Sequence, residues 1–126
     1  MSRPKDLIPI YTSRGDVEAY LAYPYLYNRE GEWIGWVSAH REVYSVHGHY
    51  VGWIDTGPRI LRKLADGFGR QRDDIRPPLM RNINPPAQPP LAPLMPELTF
   101  GVIDVLQEAP DLLPPVDFGE LRQDMD

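Results

Sequence analysis

Between Leu26 and Asp55 the chain repeats itself. Leu26-Tyr27-Asn28-Arg29-Glu30-Gly31-Glu32-Trp33-Ile34-Gly35-Trp36-Val37 is followed by Val43-Tyr44-Ser45-Val46-His47-Gly48-His49-Tyr50-Val51-Gly52-Trp53-Ile54. The shared pattern is apolar, Tyr, three variable residues, Gly, two variable residues, apolar, Gly, Trp, apolar. A unit this short cannot bury its own apolar surface, so its copies must pack on one another. Upstream, Ile10 to Leu21 fits the same template, with Ala19 for the second Gly and Tyr20 for Trp. Gly15, Gly31 and Gly48 are then 16 and 17 residues apart. A fourth unit would begin at Ile60-Leu61, but Ala65 stands at its Gly position and Gly67 comes two residues late. That unit is either stretched by an insertion or diverted into a short helix.

Each unit reads as a β-hairpin: an apolar-aromatic run, a turn whose Gly supplies positive φ, and a second apolar run. Arg14-Gly15, Glu30-Gly31 and His47-Gly48 are the expected tips. The chain reverses between units at Ala22-Tyr23-Pro24, Ser38 to Glu42 and Thr56-Gly57-Pro58, which gives a meander of about eight short strands. Alternation along the second strand puts Val17, Ala19 and Leu21, then Trp33, Gly35 and Val37, then Tyr50, Gly52 and Ile54 on one face. In the second and third units the other face, Ile34, Trp36, Val51 and Trp53, is apolar too. A strand wetted on one side would alternate more cleanly, so a closed, barrel-like or radial arrangement, or a partner chain, is expected. The recurring small residue, Ala19, Gly35 or Gly52, marks the close approach of a backbone or ring.

The resulting plan is an all-β, pseudo-fourfold repeat of short β-hairpins, a flower or small barrel, with a proline-rich C-terminal extension. Residues 1–9 form a lead and 10–76 the repeated hairpin domain. Residues 77–96 form a proline-rich arm, and 97–126 an acidic segment in which Thr99 to Ala109 is a short helix or a strand. Eleven of the 15 prolines lie between Pro77 and Pro115, favouring extended polyproline II structure. The interleaved Leu79, Met80, Leu91, Leu94 and Met95 point to an arm lying on an apolar surface. Eight acids against Arg122 after residue 96 leave that end at −7 and the rest at +2, out of a net −5. That distribution argues against a nucleic-acid binder, which needs a basic footprint. The cluster Arg59, Arg62, Lys63, Arg70, Arg72, Arg76 and Arg81 is read as a solvated face or a dock for the acidic end. No cysteine is available for disulfides, thiolate metal sites or nucleophilic catalysis. No apolar run is long enough to span a bilayer, so a cytoplasmic protein without membrane partners is expected.

The tandem Tyr-x-x-x-Gly-x-x-apolar-Gly-Trp-apolar motif, full in Tyr27–Val37 and Tyr44–Ile54 and looser in Tyr11–Leu21, resembles the small bacterial proteins described as the 4-fold β-flower family. The resemblance covers Ile10 to Arg76. It implies four hairpin-like units around a pseudo-fourfold axis and brings no activity with it. A more distant likeness is to PRC-barrel domains, small β-barrels used as interaction modules.

For sites, His47 and His49 flank a turn and form the nearest thing to a metal signal. Three histidines without cysteine make no ligand-spacing motif, so a structural reading is preferred. Trp33 and Tyr50, which follow turn tips, are the better ligand-binding candidates among aromatics that otherwise read as core. Neither a nucleophile elbow, a phosphate-cradling loop nor a distinctive carboxylate pair occurs, so the reading leans away from an enzyme and assigns no catalytic residue or cofactor. What remains is a non-catalytic interaction or assembly module, a homo-oligomer or a binder of a protein partner, its arm docking on its own or a neighbouring β-domain. The alternative is a small-ligand or metal-binding protein using the hairpin tips.

Overall fold

The computed structural model describes residues 7–65 and 83–115. Eight strands follow one another in a single antiparallel sheet, each paired with the next: β1 (Ile8–Tyr11), β2 (Val17–Ala22), β3 (Tyr25–Asn28), β4 (Trp33–Val37), β5 (Glu42–Ser45), β6 (Tyr50–Ile54), β7 (Ile60–Lys63) and β8 (Val102–Asp104). A one-turn helix, α1 (Val105–Glu108), and a 3-10 turn at Pro110–Leu112 follow. No helix among the described residues is long and apolar enough to cross a membrane.

Three hairpins turn in the same way. In Thr12–Asp16, Asn28–Glu32 and Ser45–His49 the first residue's N–H donates to the last residue's carbonyl, at 2.8, 2.9 and 2.9 Å. The glycine before that last residue has φ of +96°, +87° and +88° in the three turns, and donates back to the first carbonyl. The side-chain oxygens of Thr12, Asn28 and Ser45 accept from the N–H of residues 16, 32 and 49. A short polar side chain opens each turn because it can satisfy a backbone donor that the ladder leaves over. Just beyond each turn the pairing shifts register by one residue, between Ile10 and Tyr11, Leu26 and Tyr27, and Val43 and Tyr44.

Equivalent positions form columns. Ile10, Leu26, Val43 and Ile60, spaced 16, 17 and 17 residues, are all 0% exposed and belong to the main core. The first three pair with Ala19, Gly35 and Gly52. These small residues leave room for the neighbouring strand: a Cβ at Gly35 would overlap the Tyr44 carbonyl, and one at Gly52 the Leu61 carbonyl. The other face is covered as well. Trp36 stacks on its cross-strand partner Tyr44 at 4.6 Å, and Tyr44 meets Tyr50 edge-on at 5.8 Å. Double-sided burial of β4 and β5 therefore has two causes, a curled sheet inside and aromatic pairs outside.

The fourth hairpin is the stretched form of the unit, opened by a long insertion between β7 and β8. The proline-rich stretch is not an extension beyond the domain, because the chain returns after it as β8 and pairs Leu61 with Asp104 and Lys63 with Val102. The expected tail boundary at residue 77 thus falls inside a hairpin, and Gly67, the expected late turn glycine, lies outside the described residues. Gly101, at φ +85°, leads into β8 as the other positive-φ glycines lead into β2, β4 and β6. The segment from Thr99 to Ala109, expected as a short helix or a strand, contains both, strand first and helix second. Asp104 ends the strand and caps α1, accepting from the Gln107 N–H at 3.2 Å.

From residue 83 the insertion runs as a strap over the domain. Ile83 donates to Gly31 O at 2.9 Å and packs with Tyr27, Trp33 and Val46. Tyr11 Oη donates to Pro90 O at 3.2 Å, Ala92 lies over Gly15, and Arg59 Nη1 donates to Pro96 O at 3.1 Å. Polyproline segments have no internal hydrogen bonds, so their carbonyls are available to such donors. Of the apolar side chains expected to lie on an apolar surface, Met95 is half-buried beside Gly57, Leu91 and Leu94 are fully exposed, and Leu79 and Met80 lie outside the described residues. The sheet curls far enough for the first hairpin tip to reach the end of β8, where Ser13 N and Oγ donate to Asp104 Oδ2 at 2.7 and 2.9 Å.

Candidate functional site

The reversals between hairpins gather at the end of the strands opposite the tips, and a cavity of about 470 Å³ opens among them. Its walls are again columns. Leu21, Val37 and Ile54 are the last core residues of β2, β4 and β6, and Ile8 and Ile10 come from β1. Tyr23, Ala39 and Thr56, spaced 16 and 17 residues, supply a second ring. Ile8, Arg41 and Pro58 occupy a third, whose remaining member, Pro24, accepts the Val37 N–H at 2.8 Å. The lining is mostly apolar, with Tyr23, Ser38, Arg41, Asp55 and Thr56 as its charged or hydroxyl-bearing residues.

Arg41 breaks the pattern of its column. Its φ is +65°, the only positive value at a non-glycine residue among the described residues. Holding a long side chain there costs about 1 kcal/mol, and the surroundings show what holds it. Arg41 O accepts the Ile54 N–H at 3.0 Å, its Nε donates to Ile54 O at 3.0 Å, and its Nη2 to Asp55 O at 2.9 Å. The guanidinium is therefore fixed at the cavity rim, and Nη1 makes no hydrogen bond among the described residues. Asp55, the other charged lining residue, is occupied: Arg59 pairs with its Oδ2 at 2.8 Å, and Gly57 and Arg59 donate backbone N–H groups to its Oδ1.

A family model described as 4-fold beta flower protein matches residues 8–102. The chain belongs to that family. Neither a curated protein nor a solved structure matches it. The match runs from β1 into β8 and so takes in the strap, further along the chain than the repeat motif reaches.

In this flower protein the residues singled out from sequence lie apart. Trp33 is 2% exposed, its Nε1 donating to Gly35 O at 2.7 Å within the Tyr27–Val46 cluster. Tyr50 is 8% exposed and packs in a separate cluster with Trp36 and Tyr44. His47 and His49 are exposed on the third hairpin tip, and His40 on a reversal at the opposite end. Among the described residues no group of three or more His, Asp or Glu is placed to hold a metal. Arg59 and Arg62, read as part of a solvated face or a dock for the acidic end, are buried. Arg59 binds Asp55, Ser13 and Pro96, while Arg62 Nη1 donates to Val51 O at 2.8 Å. Arg70, Arg72, Arg76 and Arg81 lie outside the described residues.

A second cavity, about 320 Å³, adjoins the Ser13–Asp104–Arg59 contact and is lined on one side by the strap at Met95 to Leu98. Ser13 beside a carboxylate suggests a nucleophile, but no histidine lines the cavity. Asp104 already accepts from Ser13 N and Gln107 N, so its carboxylate is committed to joining the first and fourth hairpins rather than to moving a proton. The repeat motif does not single out Arg41 as a site residue. The signal that would have found it is a cation in a column otherwise filled by Ile8, Pro24 and Pro58.

Proposed function

We propose that this chain is a non-catalytic assembly module of the bacterial cytoplasm whose strap presents apolar side chains to a second copy. The observation that carries the reading is the full exposure of Leu91, Leu94 and Phe100 on a segment whose backbone is pinned at Pro90, Pro96 and Gly101. Large apolar groups held outward cost little side-chain ordering on contact, and each contributes about 1.5–3 kcal/mol when buried. A polyproline segment is already extended, so little backbone freedom is lost on docking. A twofold interface would bring the same strap from each copy together.

The test is substitution rather than truncation, because removing the chain from the strap onward also removes β8. Light scattering on the full chain and on Leu91→Ser/Leu94→Ser/Phe100→Ser should give an oligomer and a monomer of unchanged circular dichroism. A monomeric parent, or an oligomer that survives the triple change, sinks the reading.

A further inference from the structure

We infer that the cavity between the hairpin reversals binds a small amphipathic carboxylate, its apolar body among Leu21, Val37 and Ile54 and its carboxylate on Arg41. This site lies at the other end of the strands from the tips that Ile83 and Ala92 of the strap cover, and does not depend on self-assembly. Four observations lead to it. At about 470 Å³ the cavity has the size of small-molecule sites, and like them it is apolar with few polar groups. Its two charged lining residues are Arg41 and Asp55, and Asp55 is matched by Arg59 at 2.8 Å, so among the described residues the unmatched charge is positive. The Arg41 guanidinium is held by the Ile54 and Asp55 carbonyls through Nε and Nη2, leaving the outer Nη1–Nη2 edge to receive a carboxylate through two parallel N–H donors. Finally, glycine or asparagine would close this turn with less strain than arginine at φ +65°. An arginine held there and tied down by two carbonyls is a fixed cation, and strain of this kind gathers at ligand clamps.

The binding mode predicts discrimination by charge and not by chain length alone. The experiment is a titration of the full chain, methyl-labelled at Ile, Leu and Val, with octanoate, octanol and octylamine, followed by NMR. The methyls of Leu21, Val37 and Ile54 should shift saturably with octanoate. Octanol and octylamine should bind at least about tenfold more weakly, the scale of one charge-assisted hydrogen bond. Arg41→Gly, which suits the backbone, should weaken octanoate by about the same factor and leave octanol unchanged. Ala39→Tyr should abolish binding of all three by filling the cavity with the residue that Tyr23 already places at the equivalent position. Should that variant not fold, Thr56→Tyr fills the same ring from the next reversal. Equal affinity for octanoate and octanol, or octanoate binding that survives the tyrosine, overturns the inference. So does an absence of methyl shifts, or their appearance only after residues 2–6 are deleted, which would make the cavity the seat of the chain's own N-terminal segment.

Discussion

The first three hairpins and the fourth share their inward column, Ile10, Leu26, Val43 and Ile60, yet turn in different ways. The first three close in five residues on a polar side chain and a positive-φ glycine, with a register shift next to the turn. The fourth leaves the sheet after Lys63, returns at Val102, and pairs without a shift. What the units must keep is therefore the buried column and its antiparallel partner; the turn can be replaced. The entropy of closing a loop grows only slowly with its length, so an insertion at this place costs little. It also provides surface the compact hairpins lack, the strap with Leu91, Leu94 and Phe100 facing out.

The comparison breaks most severely where the column's neighbour is changed. Gly52→Ala puts a Cβ into the Leu61 carbonyl of the next strand, where backbone cannot yield as a side chain would. A loss of about 3 kcal/mol or more, or failure to fold, is expected in urea titrations. A fully stable Gly52→Ala would show that the small column is not required for packing the strands. Next come two glycines of the same conformation. Gly31, at φ +87°, lies under the Ile83 carbonyl, whereas Gly101, at φ +85°, has nothing within 4 Å of its would-be Cβ. Gly101→Ala should cost about 1 kcal/mol for the backbone alone, and Gly31→Ala about 2–3 kcal/mol because it also lifts the strap. Equal losses would mean that the strap's seat on the second hairpin contributes no stability. Asp104→Asn tests how the first and fourth hairpins are joined. The change weakens a carboxylate acceptor that binds Ser13 N and Oγ, for an expected loss of about 1–2 kcal/mol by the same titrations. No loss would mean that the ends of the sheet hold together by packing alone.

How much of this was legible beforehand follows from where each contact keeps its information. The three closed hairpins could be read because each turn needs a positive-φ glycine, Gly15, Gly31 or Gly48, at a fixed place in the unit; the polar residue that opens each turn, Thr12, Asn28 or Ser45, stands at a position the repeat leaves variable. The small column could be read because Gly35 and Gly52 recur in step with Trp36 and Trp53. β8 was hidden because its turn glycine, Gly101, stands far from Lys63, and Val102-Ile103-Asp104 is too short to declare its period. The strap's seat was hidden for another reason. It is made by carbonyls of Pro90 and Pro96, and every residue has a carbonyl. The cavity leaves little trace in the sequence because Leu21, Val37 and Ile54 read as ordinary core, and only Arg41 departs from its column.

The smallest effect distinguishes the hairpins by pH. Tyr20 and Tyr27 face each other across β2 and β3, in the closed hairpins, while β7 and β8 contain no tyrosine. Burial raises the Tyr20 phenol above its ordinary value of 10.0, helped by Tyr11 and opposed by Arg29. Burial also raises Tyr27, with Tyr25 adding to it. An acid whose folded pKa is raised favours the folded state while it stays protonated. Its contribution is complete below the unfolded value near pH 10 and disappears as the pH climbs through the folded value. Urea unfolding followed by circular dichroism should thus give constant stability from these groups up to about pH 9 and a decline above about pH 10. Tyr20→Phe/Tyr27→Phe should flatten that decline, since phenylalanine keeps the ring packing and has no proton to lose. An undiminished decline in the double variant would place the alkaline weakness elsewhere and remove the distinction between the closed hairpins and the strapped one.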